Sequence, residues 1–198
     1  MKQKKIYYWS PFLSPIATCK AVINSASSLV KFGKIYETYI LNFFGEFSNF
    51  DNEIKKNKVK LLNYFNFNFA KFLPYRGKIK SRVSFLLLFI LGIYPLFRFL
   101  KKDKPEYLII HLITSLPLIL LIFFNFETRF ILRISGYPRM NIFRKILWQI
   151  ALKKIYLVTC PTKNTLEYIK SLNLIDSSKI KLLYDPIIIV NEITKKKK

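Results

Sequence analysis

Apolar and polar positions along this chain alternate between two periods. Short, nearly continuous apolar runs at residues 6–9, 36–41, 59–64, 107–111, 129–134, 155–160 and 180–183 read as strands. Longer stretches between most of them carry helical spacing. Cys19, Val22, Ile23, Ala26, Leu29 and Val30 recur on one helical face, and Gly33 is placed to close that helix. An apolar helix is predicted over 84–100, between Lys78, Lys80 and Arg82 on one side and Lys101, Lys102 and Lys104 on the other. Residues 115–124 predict a helix with Pro117 in its first turn. Another follows over 141–153, after a turn at Gly136 and Pro138. A last helix after Cys160 has Asn164 and Glu167 spaced for reciprocal capping. The stretch from Asn42 through Lys58 is read as loop.

Strands without a polar face, alternating with helices, imply a Rossmann-like α/β fold: a parallel sheet with helices on both faces. Ligands of such sheets sit at the carboxyl ends of the strands. That rule selects residues 10–18, Gly45 and Glu46, 111–115, Ser135 and Gly136, and 160–162.

The length, 198 residues, fits one domain with a real core. Lys and Arg number 34 against 11 Asp and Glu, a formal charge of +23. This excess favours anionic partners, although AT-rich coding bias produces similar compositions. Charge and aromatics suggest a nucleic-acid binder as a rival reading, but lysines scattered among apolar runs, without a recognition motif, argue against it, and no nucleic acid is expected as a partner. Two distant cysteines, Cys19 and Cys160, make no disulfide framework and fit a reducing compartment. The basic start leads into only four apolar residues before Ser10 and Pro11, so a secretory signal is not expected. Residues 83–97 carry no charge but fall short of the ~20 needed to span a bilayer. Residues 107–126 are long enough, yet His111, Thr114, Ser115, Pro117 and Asn125 break them into strand, loop and helix. A small basic integral membrane protein remains the minor alternative.

Much chemistry is absent. The chain has no Gly-rich phosphate loop, no His-Glu-x-x-His, no Gly-x-Ser-x-Gly and no Asp-x-Asp, so no metal is expected. His111 is the one side chain with a near-neutral reference pKa. From its position it is either a structural residue at a strand end or a functional one.

Four ordered segments carry a resemblance. Pro105-Glu106-Tyr107-Leu108-Ile109-Ile110-His111-Leu112 resembles the Pro-Asp-x-x-His-x-His segment of retaining, family 4 glycosyltransferases of the GT-B fold. Ile131-Leu132-Arg133-Ile134-Ser135-Gly136 resembles the following strand, and Leu157-Val158-Thr159-Cys160-Pro161-Thr162 the one after. Lys179 to Ile187 sits where the family has its Asn-Gly-Val-Asp linker. The resemblance implies an acceptor-side N-terminal domain at 1–186, then the start of an interdomain linker and a Lys-rich tail at 187–198. The family's nucleotide-sugar half would follow, and it is not in this sequence. The implied reaction moves a sugar from a nucleotide-sugar donor to a lipid-linked or polysaccharide acceptor in cell-envelope glycan synthesis. It needs pairing with a C-terminal donor domain, for which a separate chain is one candidate, so the isolated chain is expected to be inactive. A non-catalytic acceptor-binding subunit or remnant half-enzyme is the alternative.

By the same resemblance, His111 is the catalytic-site residue, positioning a donor or acceptor hydroxyl. Ser14 and Thr18 would face the donor diphosphate, although Thr18 is equally a helix cap. Gly45, Glu46, Ser115, Ser135 and Gly136 would line the acceptor side. Two departures stand out: the first loop lacks the family's Gly-Gly pair, and Ile109 replaces the first His of the paired motif. No cofactor is implied beyond the nucleotide sugar as substrate. Lys80 and Arg82 are candidates for contacting an anionic acceptor or lipid head group. The apolar helix with cationic ends is either a core helix or an interfacial one, at the inner face of the cell membrane.

Overall fold

β-Branched and aromatic runs form strands here because the sheet buries them. The computed structural model describes residues 4–13, 17–33, 35–65, 67–74 and 77–186. Ser14 and the tail at 187–198 lie outside the described residues. Strands β1 (Lys4–Trp9), β2 (Tyr36–Asn42), β3 (Lys60–Asn63), β4 (Tyr107–Ile110), β5 (Arg129–Arg133), β6 (Leu157–Cys160) and β7 (Ile180–Leu182) form one sheet. Its order is β3-β2-β1-β4-β5-β6-β7 and every pairing is parallel. The direction of winding reverses between β1 and β4, which makes that junction the switch point of a Rossmann-like sheet.

Six α-helices accompany the strands among the described residues: α1 (Ala17–Phe32), α2 (Asp51–Lys56), α3 (Lys78–Lys102), α4 (Ser115–Phe123), α5 (Ile142–Ala151) and α6 (Lys163–Ser171). Right-handed crossovers divide them between the faces. α1 and α2 bury Cys19, Val22, Ile23, Ala26 and Ile54 against Ile6, Tyr8 and Ile40. α3 to α6 lie on the opposite face, over Tyr7, Trp9, Leu41, Leu108, Ile110, Leu132 and Val158. Helices on both faces agree with the sequence reading, with one exception. Among the described residues, no helix covers the α1 face of β4, β5 and β6, and Tyr107, Ile109, Ile131 and Leu157 open there into a cavity of about 660 Å³.

Local differences from the sequence reading have physical causes. α2 lies inside the stretch read as loop; its six residues bury only Ile54, too few for a periodic signal. α3 spans 25 residues, beginning well before residue 84, because Lys80 and Arg82 extend it as readily as apolar residues do. From Ile79 to Lys102 it is long and apolar enough to cross a membrane, while one of its faces packs into the sheet core. α6 is capped not by Asn164 but by Thr162, whose hydroxyl accepts from the Thr165 amide at 3.2 Å. Asn141 caps α5 by accepting from the Arg144 amide at 2.8 Å.

Candidate functional site

The carboxyl ends of β4 and β5 frame a cleft of about 420 Å³. Ser115 at the start of α4 and Arg144, Leu147 and Trp148 of α5 line it, with the loops at 111–114 and 134–138. Of the sequence candidates, His111, Ser115, Ser135 and Gly136 meet here. The loop is held tightly at its base: the His111 amide donates to the Trp9 carbonyl at 2.9 Å, and the Trp9 indole N–H reaches the Ile113 carbonyl at 3.4 Å. Ile113 sits at φ 45°, a left-handed conformation that costs a β-branched residue energy. Such strain beside a switch-point cleft marks a loop whose shape the surroundings impose.

His111 is only 7% exposed, and its Nδ1 is buried without a hydrogen-bond partner. Burial, aided by the nearby Arg133 charge, pushes its pKa down to about 3. The imidazole is therefore neutral at physiological pH and suited to hydrogen bonding, not to carrying a proton charge. Arg133 is 4% exposed and donates from Nη2 to Asp185, while its Nε and Nη1 have no partner. His111 and Arg133 line both this cleft and the larger cavity behind the sheet. Thr159 Oγ1 in that cavity is likewise buried and unpaired. Tyr8 completes the wall, its hydroxyl 2.9 Å from Ser25 Oγ.

Sequence reasoning did not single out Arg133 as a site residue. The available signal was a cation in an otherwise apolar strand of a parallel sheet, where charge is tolerated only with a partner. Asp185, in the segment after β7, is that partner.

The remaining candidates lie elsewhere. Gly45 adopts φ 79°, and a Cβ there would come within 2.6 Å of the Asn68 Cα, so the glycine serves backbone packing. Glu46 is 5% exposed; its Oε2 accepts from the Phe44 amide at 2.8 Å and its Oε1 has no partner. Burial pushes its carboxyl up to about 8. Neither residue lines the cleft. Gly136 does, but nothing lies within 4 Å of a Cβ built there, so its site does not require glycine. Thr18 occupies the second position of α1, inside the helix and not at its cap. Lys80 and Arg82 are exposed on the first turns of α3. Among the described residues, no group of three or more His, Cys, Asp or Glu is arranged to hold a metal.

No known family profile matches this sequence, and no curated protein does. Solved structures do. A glycosyltransferase from Rickettsia africae superposes with a TM-score of 0.56 at 14% identity, over 98% of this chain and 48% of its own. A putative UDP-N-acetylglucosamine 2-epimerase from Listeria monocytogenes gives 0.62 at 10% identity, over 91% of this chain and 44% of its own. The UDP-GlcNAc 2-epimerase of Neisseria meningitidis, solved with UDP-GlcNAc bound, gives 0.56 at 13%, over 100% and 49%. The likeness is one of fold. The chain shares the Rossmann-like α/β fold found in GT-B glycosyltransferases and spans about half the length of the proteins it matches.

Proposed function

We propose that this chain is the acceptor-side half of a retaining, family 4-like glycosyltransferase that works on a nucleotide-sugar donor. The observation that carries the reading is the cleft at the carboxyl ends of β4 and β5, one strand from the switch point, which gathers His111, Ser115, Ser135 and Gly136. In the proposed reaction the bond from the anomeric carbon to the donor diphosphate breaks. An acceptor hydroxyl bonds to that carbon on the same face, and its proton leaves with the diphosphate. The oxocarbenium-like transition state gains most from electrostatic stabilisation of the departing diphosphate. Neutral His111 orients a sugar hydroxyl. The amino end of α4, opening at Ser115 without a side-chain cap, borders the cleft, and the first amides of a helix suit a phosphate or hydroxyl. The donor's nucleotide is held by a second domain, on this chain's continuation or on a separate chain.

The acceptor is a lipid-linked or polysaccharide glycan met at the cytoplasmic face of the membrane. The α3 stripe of Ile79, Val83, Leu86, Leu87 and Ile90, flanked by Lys80 and Arg82, supports that location.

Amide hydrogen exchange of the purified chain, with and without UDP-GlcNAc, tests the sugar-nucleotide reading. Protection is expected at 17–20 and at 111–115, with no release of UDP by the chain alone. Unchanged exchange at both places with UDP-, GDP- and ADP-sugars would leave an acceptor-binding subunit as the better account. Sustained UDP release would contradict the half-enzyme reading.

A further inference from the structure

The exposed apolar surface of this protein is not confined to α3. On α5, Ile142, Ile146 and Ile150 fall on one stripe, with Phe143 beside them, and Phe143 is 84% exposed. The face that α5 gives to the core is a different one, made by Trp148 and Ala151. A helix of ten residues with apolar side chains on both its inner and outer faces has more to bury than the sheet can take. α3 has the same character. Its inner face buries Leu88, Leu96 and Phe99, while Ile79, 79% exposed, begins an outer stripe that continues through Val83, Leu86 and Ile90.

The two helices that carry these stripes lie on one face of the sheet. α3 packs on α4 and α4 packs on α5, all on the same face of the sheet. All three helices return the chain to the start of a following parallel strand, so their amino ends lie at the carboxyl edge. Gly92 of α3 already contacts Trp9, Phe44 and Leu116. The turns before it, about 20 Å of helix at 1.5 Å per residue, therefore run towards and beyond the cleft edge. Ser84 ties this part of α3 to the loop before it through the Pro74 carbonyl at 2.7 Å. Phe143 lies in the first turn of α5, next to Arg144 in the cleft lining, with α4 between α5 and α3.

Charge separates with the same boundaries. No Asp or Glu occurs between Glu53 and Asp103, or between Glu127 and Glu167. Those two acid-free segments contain α3 and α5. Lys80 and Arg82 flank the first stripe; Arg139, Lys145 and Lys153 surround the second. Coding bias towards lysine does not clear acids from two particular segments. A second copy is a poor occupant, since it would press one cationic face against another. An anionic lipid surface satisfies both the apolar stripes and the bases around them.

We propose that α5 is a second lipid-binding face, and that together with α3 it seats the cleft mouth on an anionic bilayer. The inference builds on the membrane-side acceptor reading above, and it assigns the acceptor's entry to the cleft mouth beside the amino ends of α4 and α5. The lipid's acyl part stays in the bilayer while its head group rises into the cleft beside Arg144.

The test is flotation of the purified chain with phosphatidylcholine vesicles, with and without about one third phosphatidylglycerol. Wild type is expected to float with the anionic vesicles, less so at high salt. Phe143→Asp with Ile146→Asp on α5 is expected to weaken partitioning about tenfold or more, as is Ile79→Asp with Val83→Asp on α3. A tenfold loss corresponds to about 1.4 kcal/mol. Combining all four changes abolishes flotation, while Phe32→Asp, exposed on α1, leaves it unchanged. Circular dichroism melts confirm that each variant is folded, and sedimentation velocity reports self-association. The proposal is overturned if the α5 pair floats like wild type, if Phe32→Asp loses as much, or if wild type does not float. It is also overturned if the α5 changes dissolve a dimer while vesicle binding persists. UDP-GlcNAc protection is read in vesicle-free solution, so failure here leaves the sugar-nucleotide reading standing.

Discussion

Arg133 shows how a single residue can be both the least expected and the most constrained. A guanidinium in a central parallel strand is costly to desolvate, and among the described residues Asp185 is the acid that pairs with it. The two partners are unequally buried: the Arg133 side chain is almost fully enclosed, whereas that of Asp185 is 16% exposed. Removing Asp185 therefore strands an uncompensated buried cation, at about 3 kcal/mol or more. Removing Arg133 leaves a carboxylate that water can still reach. Urea denaturation should show Asp185→Ala losing more stability than Arg133→Met, and equal losses would contradict this account of the pair. Part of this was legible in advance. The strand containing Arg133 and the segment containing Asp185 were both recognised, but sequence spacing of 52 residues gives no sign that they meet. His111 was legible as a strand-end residue, whereas its suppressed protonation depends on burial that no local pattern reveals.

At the scale of elements, sequence patterning worked where a segment was long and one-sided, and faltered where packing supplied the reason for an element. α1, α4 and α5 follow their apolar spacing, and the strands follow their apolar runs. α2 escaped notice because a single buried isoleucine makes no period. The α6 cap was misplaced because two hydroxyls, at Thr162 and Thr165, satisfy the first turn more locally than a side chain at Asn164 can. Two glycines locate elements in a way that can be measured. At Gly92 a Cβ would sit 2.9 Å from Phe44 and 3.0 Å from Leu116, so the residue lets α3 approach the sheet edge. Alanine there gains about 1 kcal/mol of helix propensity but forces two buried side chains to move. At Gly45 the obstacle is the Asn68 backbone, and the positive φ adds strain of its own. Thermal melts should therefore rank Gly45→Ala as more destabilising than Gly92→Ala, with Gly92→Val worse than Gly92→Ala. A Gly45→Ala protein as stable as wild type would remove the packing role given to that turn.

For the whole molecule, what the sequence could not disclose is which part of the sheet the described helices leave uncovered. Alternation of strands and helices predicts layers, but crossover handedness decides that α1 and α2 cover only β1 to β3 on their face. The bare half then carries His111, Arg133 and Thr159, polar groups that an apolar sheet interior would otherwise exclude. Two buried titrating groups, both beyond carboxyl ends of strands, make its stability depend on pH in opposite senses. Glu46 is raised from 4.5 to about 8, so the folded state holds an extra proton between these values, and stability falls as pH rises through that window. His111 is lowered from 6.5 to about 3, so the unfolded state holds the extra proton, and stability falls as pH drops through that window. Between about 4.5 and 6.5 the two slopes oppose and largely cancel. The protein should show a plateau there, with losses on the order of a few kcal/mol towards either side. Glu46→Gln should flatten the alkaline limb and His111→Gln the acid one, each leaving the other limb in place. Urea midpoints measured from about pH 3 to about pH 9 on the three proteins decide the matter. An alkaline limb that survives Glu46→Gln would mean that the carboxyl is ionised inside the folded turn, against the burial that defines it.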